Sequence, residues 1–100
     1  MADKLLRNKV HDKDIRIPLL KFLEKEHIKE PDTKIIEELG LCQGSARVDI
    51  AVVNGYLHGY EIKSESDSLK RLPTQIDYYS KVLDRITLVA SESHISKVET

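Results

Sequence analysis

The feature that most restricts the fold of this chain is a β-hairpin signal near its centre. Residues 46–53 (ARVDIAVV) and 56–63 (YLHGYEIK) are rich in β-branched and aromatic residues, and Asn54–Gly55 lies between them. An Asn-Gly pair flanked by two such segments favours a tight hairpin, because both residues tolerate positive φ. The sequence therefore predicts two antiparallel strands joined at this point.

Helical and strand patterns flank the hairpin. Residues 34–41 are ambiguous between a short helix and a strand, and the Ile35–Ile36 pair favours a strand. Residues 69–83 have helical spacing, with Pro73 in the first turn of the main helix. Residues 85–90 (RITLVA) predict a short strand suited to a sheet interior, and a last helical pattern begins at residue 93.

The first helix is predicted over residues 14–27. Asp14 can cap it, and Pro18 lies near its first turn. Its predicted buried stripe consists of Ile15, Leu19, Leu20, Phe22 and Leu23. The complete order of elements predicts a mixed α/β (α+β) sheet with helices against its faces. We expect a single domain over residues 1–100. Because the last helical pattern stops at Thr100, we expect that a C-terminal helix is missing.

Composition narrows the class of protein. The chain is 40% hydrophobic and 33% charged, which is typical of a globular domain and not of a disordered one. It has no apolar run long enough to cross a membrane, no signal-peptide core, and a single cysteine, Cys42. We therefore expect a cytoplasmic protein without a membrane partner.

The overall charge does not indicate a tight, non-specific DNA-binding protein. Sixteen basic and 17 acidic residues give a net charge of −1. A nucleic-acid partner would require positive charge concentrated locally, or supplied partly by bound metal. With Phe22 and four tyrosines as the only aromatics, no aromatic-rich surface is predicted for stacking a single strand.

Three charged residues lie inside the predicted hairpin strands: Asp49, Glu61 and Lys63. A charge within an apolar strand is costly unless it faces solvent or a partner. A solvated outer face is one explanation, yet Ala51 and Val53 share the face of Asp49 under simple alternation. A functional cluster is the other explanation.

Whether these residues share a face depends on the hairpin loop. A plain two-residue loop would place Asp49 opposite Tyr60 and leave Glu61 on the other face. A three-residue loop over residues 53–55, with Gly55 in the left-handed region, or a bulge at Gly59, would bring the carboxylates together. We therefore predict positive φ or a bulge at one of these glycines.

Two carboxylates on one face could hold a hard divalent ion, Mg²⁺ or Mn²⁺, and Lys63 could stabilise charge on a reacting phosphate. The histidines lack the spacing of zinc ligands. They are His11, His27, His58 and His94.

An aspartate, eleven intervening residues and Glu-x-Lys on the next strand resemble the pattern of the PD-(D/E)XK nuclease superfamily. The runs GSARVDIAVVNG (44–55) and GYEIKS (59–64) carry both parts. Gln75 and Tyr79 form Gln-x-x-x-Tyr, which resembles the RecB-like branch, and the chain is similar to small stand-alone bacterial and phage members. The resemblance implies an α-β-β-β-α-β core. It also implies that the catalytic residues are Asp49, Glu61, Lys63 and Gln75. The metal ligands would be Asp49, Glu61 and Glu38, with Glu37 as the weaker alternative to Glu38.

By this resemblance the chain would be a Mg²⁺-dependent nuclease that hydrolyses phosphodiester bonds of DNA in repair, restriction or phage-related processing, with RNA as an open alternative. Nucleic-acid contacts are expected from Arg47, Lys70, Arg71 and Tyr79, although Tyr79 could equally be a packing residue. Two alternatives stay open: a non-catalytic nucleic-acid or protein-binding module, and a homodimeric, structure-selective endonuclease resembling Holliday-junction resolvases.

Overall fold

The computed structural model describes residues 10–98, and side chains as far as Ile95. The expectation about the C-terminal end of the chain lies outside the described residues. The elements follow the predicted order. They are α1 (Asp12–Glu26), β1 (Lys34–Leu41), a 3₁₀ turn (Cys42–Gly44), β2 (Ala46–Val53), β3 (Leu57–Lys63), α2 (Leu72–Ser80), β4 (Arg85–Ala90) and α3 (Glu92–Val98).

The four strands form one mixed sheet in the order β1-β2-β3-β4. The first three strands pair antiparallel, and β4 pairs parallel to β3 after the crossover through α2. The domain is therefore α+β with a four-stranded mixed sheet, and the ambiguous segment 34–41 is a strand. None of the helices within residues 10–98 has both the length and the apolar character needed to cross a membrane.

The prediction that residues 85–90 lie in the sheet interior is wrong, because β4 is an edge strand of the described sheet. Its residues are mostly half-buried. Ile86 packs against the cluster that contains Tyr79 and Leu83 from the helical crossover and its end. The low polarity of this strand therefore reflects contact with the crossover segment and not a strand neighbour on each side.

Two apolar clusters lie against the sheet, one beneath each main helix. The first joins Leu23 of α1 to Ile50, Val52 and Ile62, and the second joins Tyr79 of α2 to residues of β1 and β2. The buried members of the second are Leu41, Val48, Ala51, Tyr79 and Leu83. The helices thus pack on opposite faces of a thin sheet, with Pro73 in the first turn of α2 as predicted.

Helix α1 differs from its prediction in three respects. It begins at Asp12, so Asp14 is not the N-cap; the Asp14 carboxylate instead accepts the N–H of His11 at 2.8 Å. Pro18 consequently lies inside the helix and not near its first turn, where it leaves the Asp14 carbonyl without its usual partner. Phe22 is 59% exposed whereas Leu23 is 1% exposed, because the buried stripe is centred on Leu23.

We predict that Gly59→Ala destabilises the fold whereas Gly40→Ala does not. A Cβ at Gly59 would lie 2.5 Å from Leu83 Cδ1 and 3.0 Å from the stiff Val48 side chain, and one at Gly40 meets nothing within 4 Å. Overpacking of this kind costs about 1–3 kcal/mol. Urea unfolding measures the difference between the two variants, and equal stability of both would contradict the close approach at Gly59.

Candidate functional site

The hairpin loop sets Asp49 and Glu61 opposite each other on neighbouring strands. Gly55 has φ of +80°, as predicted, and Val53 pairs with Leu57, so three residues, 54–56, connect the strands. The loop lies one residue later than the 53–55 expected, but its odd length has the same effect on the strand faces. Since Ile50 pairs with Tyr60, the next position of the register sets Asp49 opposite Glu61.

A second irregularity, which the sequence did not reveal, lies where β1 passes Asp49. The register pairs Glu37 with Ile50 and Leu39 with Val48, and skips Glu38 and Asp49 between them. Glu38 has φ of +55°, a left-handed conformation that is unusual for a side chain other than glycine. Strand β2 changes faces here, because Ile50 belongs to the cluster beneath α1 and Val48 to the cluster beneath α2.

The Asp49 carboxylate joins α1, β2 and β3. Its Oδ2 accepts the backbone N–H of Ile62 at 2.7 Å, a contact that replaces a strand-to-strand hydrogen bond. Its Oδ1 accepts Arg16 Nη2 at 3.1 Å, and Arg16 Nη1 reaches the Asp49 carbonyl at 3.3 Å. Asp49 and Arg16 are 19% and 18% exposed, so this ion pair is largely shielded from water.

Arg16 is the principal site residue that sequence reasoning missed. Its guanidinium also contacts Asp12 at 2.7 Å, Glu38 at 3.1 Å and Glu37 at 3.4 Å. The hydrogen bond to Asp12 is the main cause that raises the pKa of Arg16 above its ordinary value. The one available signal was the four-residue spacing of Asp12 and Arg16, which places both on one face of a helix.

Glu61 is the most buried member of the charged cluster that Arg16, Asp49, Glu61 and Lys63 form. It is 4% exposed; its Oε1 accepts the Tyr79 hydroxyl at 2.8 Å, and Lys63 Nζ lies 3.5 Å from its Oε2. Burial, reinforced by the charge of Asp49, raises the pKa of Glu61 to about 7. Burial and the Glu61 acceptor likewise raise the pKa of Tyr79. Glu61 is therefore a readily protonated carboxyl group close to the ion pair of Asp49 and Arg16.

The predicted three-carboxylate metal site does not form. The Glu38 carboxylate contacts the guanidinium of Arg16 and approaches that of Arg47 at 3.8 Å. Among the described residues no group of three or more His, Cys, Asp or Glu side chains is arranged to hold a metal ion. Binding of Mg²⁺ or Mn²⁺ by Asp49 and Glu61 alone stays a prediction.

Beside this cluster, a polar cleft of about 280 Å³ opens between the 3₁₀ turn and the start of α2. Arg47 and Arg71 contribute its positive charge, and Gln75 Oε1 is buried with no hydrogen-bond partner among the described residues. Lys70 is exposed next to Arg71. The lining residues are Gly44, Ser45, Ala46, Arg47, Arg71, Thr74, Gln75, Tyr78 and Tyr79.

Tyr79 connects the cluster to the cleft. Its side chain is fully buried, and its hydroxyl lies 2.8 Å from Glu61 Oε1 and 3.0 Å from the backbone carbonyl of Arg47. Its observed contacts are therefore those of a residue that positions Arg47, whereas a direct nucleic-acid contact of Tyr79 stays a prediction.

The fold and this cluster define a small α+β domain whose charged centre lies beside a cationic cleft. The chain belongs to the family of bacteriophage P4 protein cII, which matches residues 6–100. It is 34% identical to protein cII of Enterobacteria phage P4 over 89 residues, which cover 89% of this chain and 33% of that protein. The chain thus spans about a third of the length of the curated relative it matches. No solved structure matches it.

Membership of the cII family corrects the resemblance to PD-(D/E)XK nucleases, which is wrong, and overturns the nuclease function predicted with it. The pattern behind the resemblance consists of three charged residues on two strands and the Gln75–Tyr79 pair, which is a short signal in a chain that is 33% charged. The spacing does bring Asp49, Glu61 and Lys63 together. It did not identify the family, because proximity of charges is compatible with structural ion pairing.

We predict that Glu61 makes the fold less stable as pH rises from about 4.5 to about 7. Its pKa is raised to about 7 in the folded protein from an ordinary 4.5, so the folded state holds this proton more tightly than the unfolded chain. The contribution of this proton to the free energy of unfolding is complete below pH 4.5 and is lost as the pH rises through 7. The total loss is about 3 kcal/mol at most.

Urea unfolding at several pH values tests this dependence. Glu61→Gln keeps an acceptor for Tyr79 and cannot ionise, so it should abolish the loss of stability in this range. The exposed Glu65 is the matched control, and Glu65→Gln should keep the wild-type profile. Parallel profiles for wild type and Glu61→Gln would contradict the raised pKa.

Proposed function

We propose that this chain is a nucleic-acid-binding module that holds phosphate groups in the cleft between the 3₁₀ turn and α2. The observation that carries this proposal is the convergence of Arg47 and Arg71 on one polar cleft. Guanidinium groups match phosphate geometry through paired N–H donors. Binding of DNA, with RNA as the alternative, is the role that this chemistry supports.

The charge distribution is consistent with attraction of nucleic acid to the cleft and not to the whole protein surface. The net charge is −1, and four carboxylates surround the guanidinium of Arg16. Arg47 is 66% exposed and lies 3.8 Å from Glu38, a distance at which a phosphate can compete for it. The first turn of α2 adds the positive end of a helix dipole, and hydroxyls of Ser45 and Thr74 add donors.

The charged centre supports this role by holding the cleft in shape. The Tyr79 hydroxyl bridges Glu61 to the backbone of Arg47, and so ties the beginning of β2 to α2. Asp49, two residues further along β2, is tied to α1 and β3. A binding surface built on such fixed elements requires little ordering when a ligand arrives. Formation of a homodimer stays a separate prediction.

We predict that Arg47→Ala and Arg71→Ala each weaken binding of a labelled DNA strand, measured by fluorescence anisotropy across a range of salt concentrations. Each substitution removes one phosphate contact, so the affinity should fall about tenfold at low salt, and the slope of log affinity against log salt should decrease by about 1.

Arg85→Ala is the matched control, because Arg85 is exposed at the start of β4, opposite His58 and far along the sheet from Arg47. It should bind like the wild type. Absence of DNA and RNA binding by the wild type, or an equal loss in Arg85→Ala, would contradict the proposed cleft.

A further inference from the structure

We infer that the cleft takes one unpaired nucleotide, whose base hydrogen-bonds to the Gln75 amide and lies against Tyr78 while its phosphates contact Arg47 and Arg71. This inference rests on the proposed function and specifies the form of nucleic acid that the cleft accepts. It is carried by three observations: the shape of the cleft, the unpaired oxygen of Gln75 and the position of Tyr78.

The shape of the cleft favours a single unit over a duplex. A protein that reads the base sequence of duplex DNA inserts a convex helix or β-ribbon into the major groove, whereas the surface of this cleft is concave. Its volume of about 280 Å³ lies near the lower limit of small-molecule pockets, about 300 Å³. One nucleotide separated from its neighbours matches such a space, and a stacked base pair does not.

Gln75 supplies the hydrogen-bonding chemistry. It lines the cleft from the first turns of α2, and its Oε1 is buried without a partner among the described residues. A buried acceptor without a donor is destabilising, so a donor from a ligand would be favourable there. An amide offers an acceptor beside a donor, which complements the Watson–Crick edge of a base, and only an unpaired base leaves that edge open.

Tyr78 supplies an apolar surface for the base. It lies one helical turn from Thr74 on the wall of the cleft, with Lys81 Nζ 5.4 Å from the centre of its ring. Stacking on one aromatic ring is tolerant of base identity and is common in proteins that bind single strands. Tyr79, the other tyrosine among the lining residues, is fully buried, so the site fits one base and not a continuous track of them.

The test compares a normal DNA strand with a strand of equal length in which every nucleotide is abasic, so that phosphates remain and bases are absent. Fluorescence anisotropy should give the wild type at least a tenfold higher affinity for the normal strand, and a preference for it over the corresponding duplex. Gln75→Met keeps the length of the side chain but removes its hydrogen bonds, and should bind both strands with nearly equal affinity.

Tyr78→Leu should also lose affinity for the normal strand alone, whereas Tyr78→Phe keeps the ring and should bind like the wild type. Equal affinity of the wild type for normal and abasic strands, with Arg47 and Arg71 still required, would overturn the nucleotide site and leave phosphate binding intact. Loss of dependence on both arginines would instead overturn the proposed function itself.

Discussion

The hydrogen bonds of the Asp49 carboxylate are the constraint on which most of this structure depends. One oxygen accepts the N–H of Ile62 at 2.7 Å and the other accepts the guanidinium of Arg16 at 3.1 Å. Charge-assisted hydrogen bonds of this kind are stronger than neutral ones, particularly where water is largely excluded. A single side chain thereby fixes helix α1 and strand β3 against strand β2.

This contact accounts for the irregular sheet around it. At Asp49 the β2 side chain satisfies a backbone group of β3 that a regular ladder would pair with backbone, and Glu38 on β1 adopts φ of +55°. Strand β2 then changes faces, so that Val48 packs beneath α2 and Ile50 beneath α1. Arg47, which lines the cleft, lies two residues before Asp49 on β2. The charged centre and the proposed binding surface are therefore positioned by the same strand.

Local features of the sequence determined the order of elements, because strand composition, the Asn54–Gly55 turn and Pro73 act within a few residues. The positive φ of Gly55 could be predicted because a loop of odd length is needed to place Asp49 and Glu61 on one face of the sheet. The change of face at Glu38 and Asp49 could not be predicted, since it depends on backbone conformation at a residue that rarely adopts it. Nor could the contact of Arg16 with Asp49, which joins segments 33 residues apart. The family could not be inferred from charge spacing, because similar spacing serves structural pairing and chemistry alike.

A double-mutant cycle tests the central claim most directly. Arg16→Ala, Asp49→Ala and the double variant would each be unfolded in urea, and the coupling energy obtained from the three changes in stability. The account predicts a coupling above about 0.5 and up to about 3 kcal/mol, which is the range for partners in one ion-pair network. Effects that add to within about 0.5 kcal/mol would contradict it, because independent residues behave in that way.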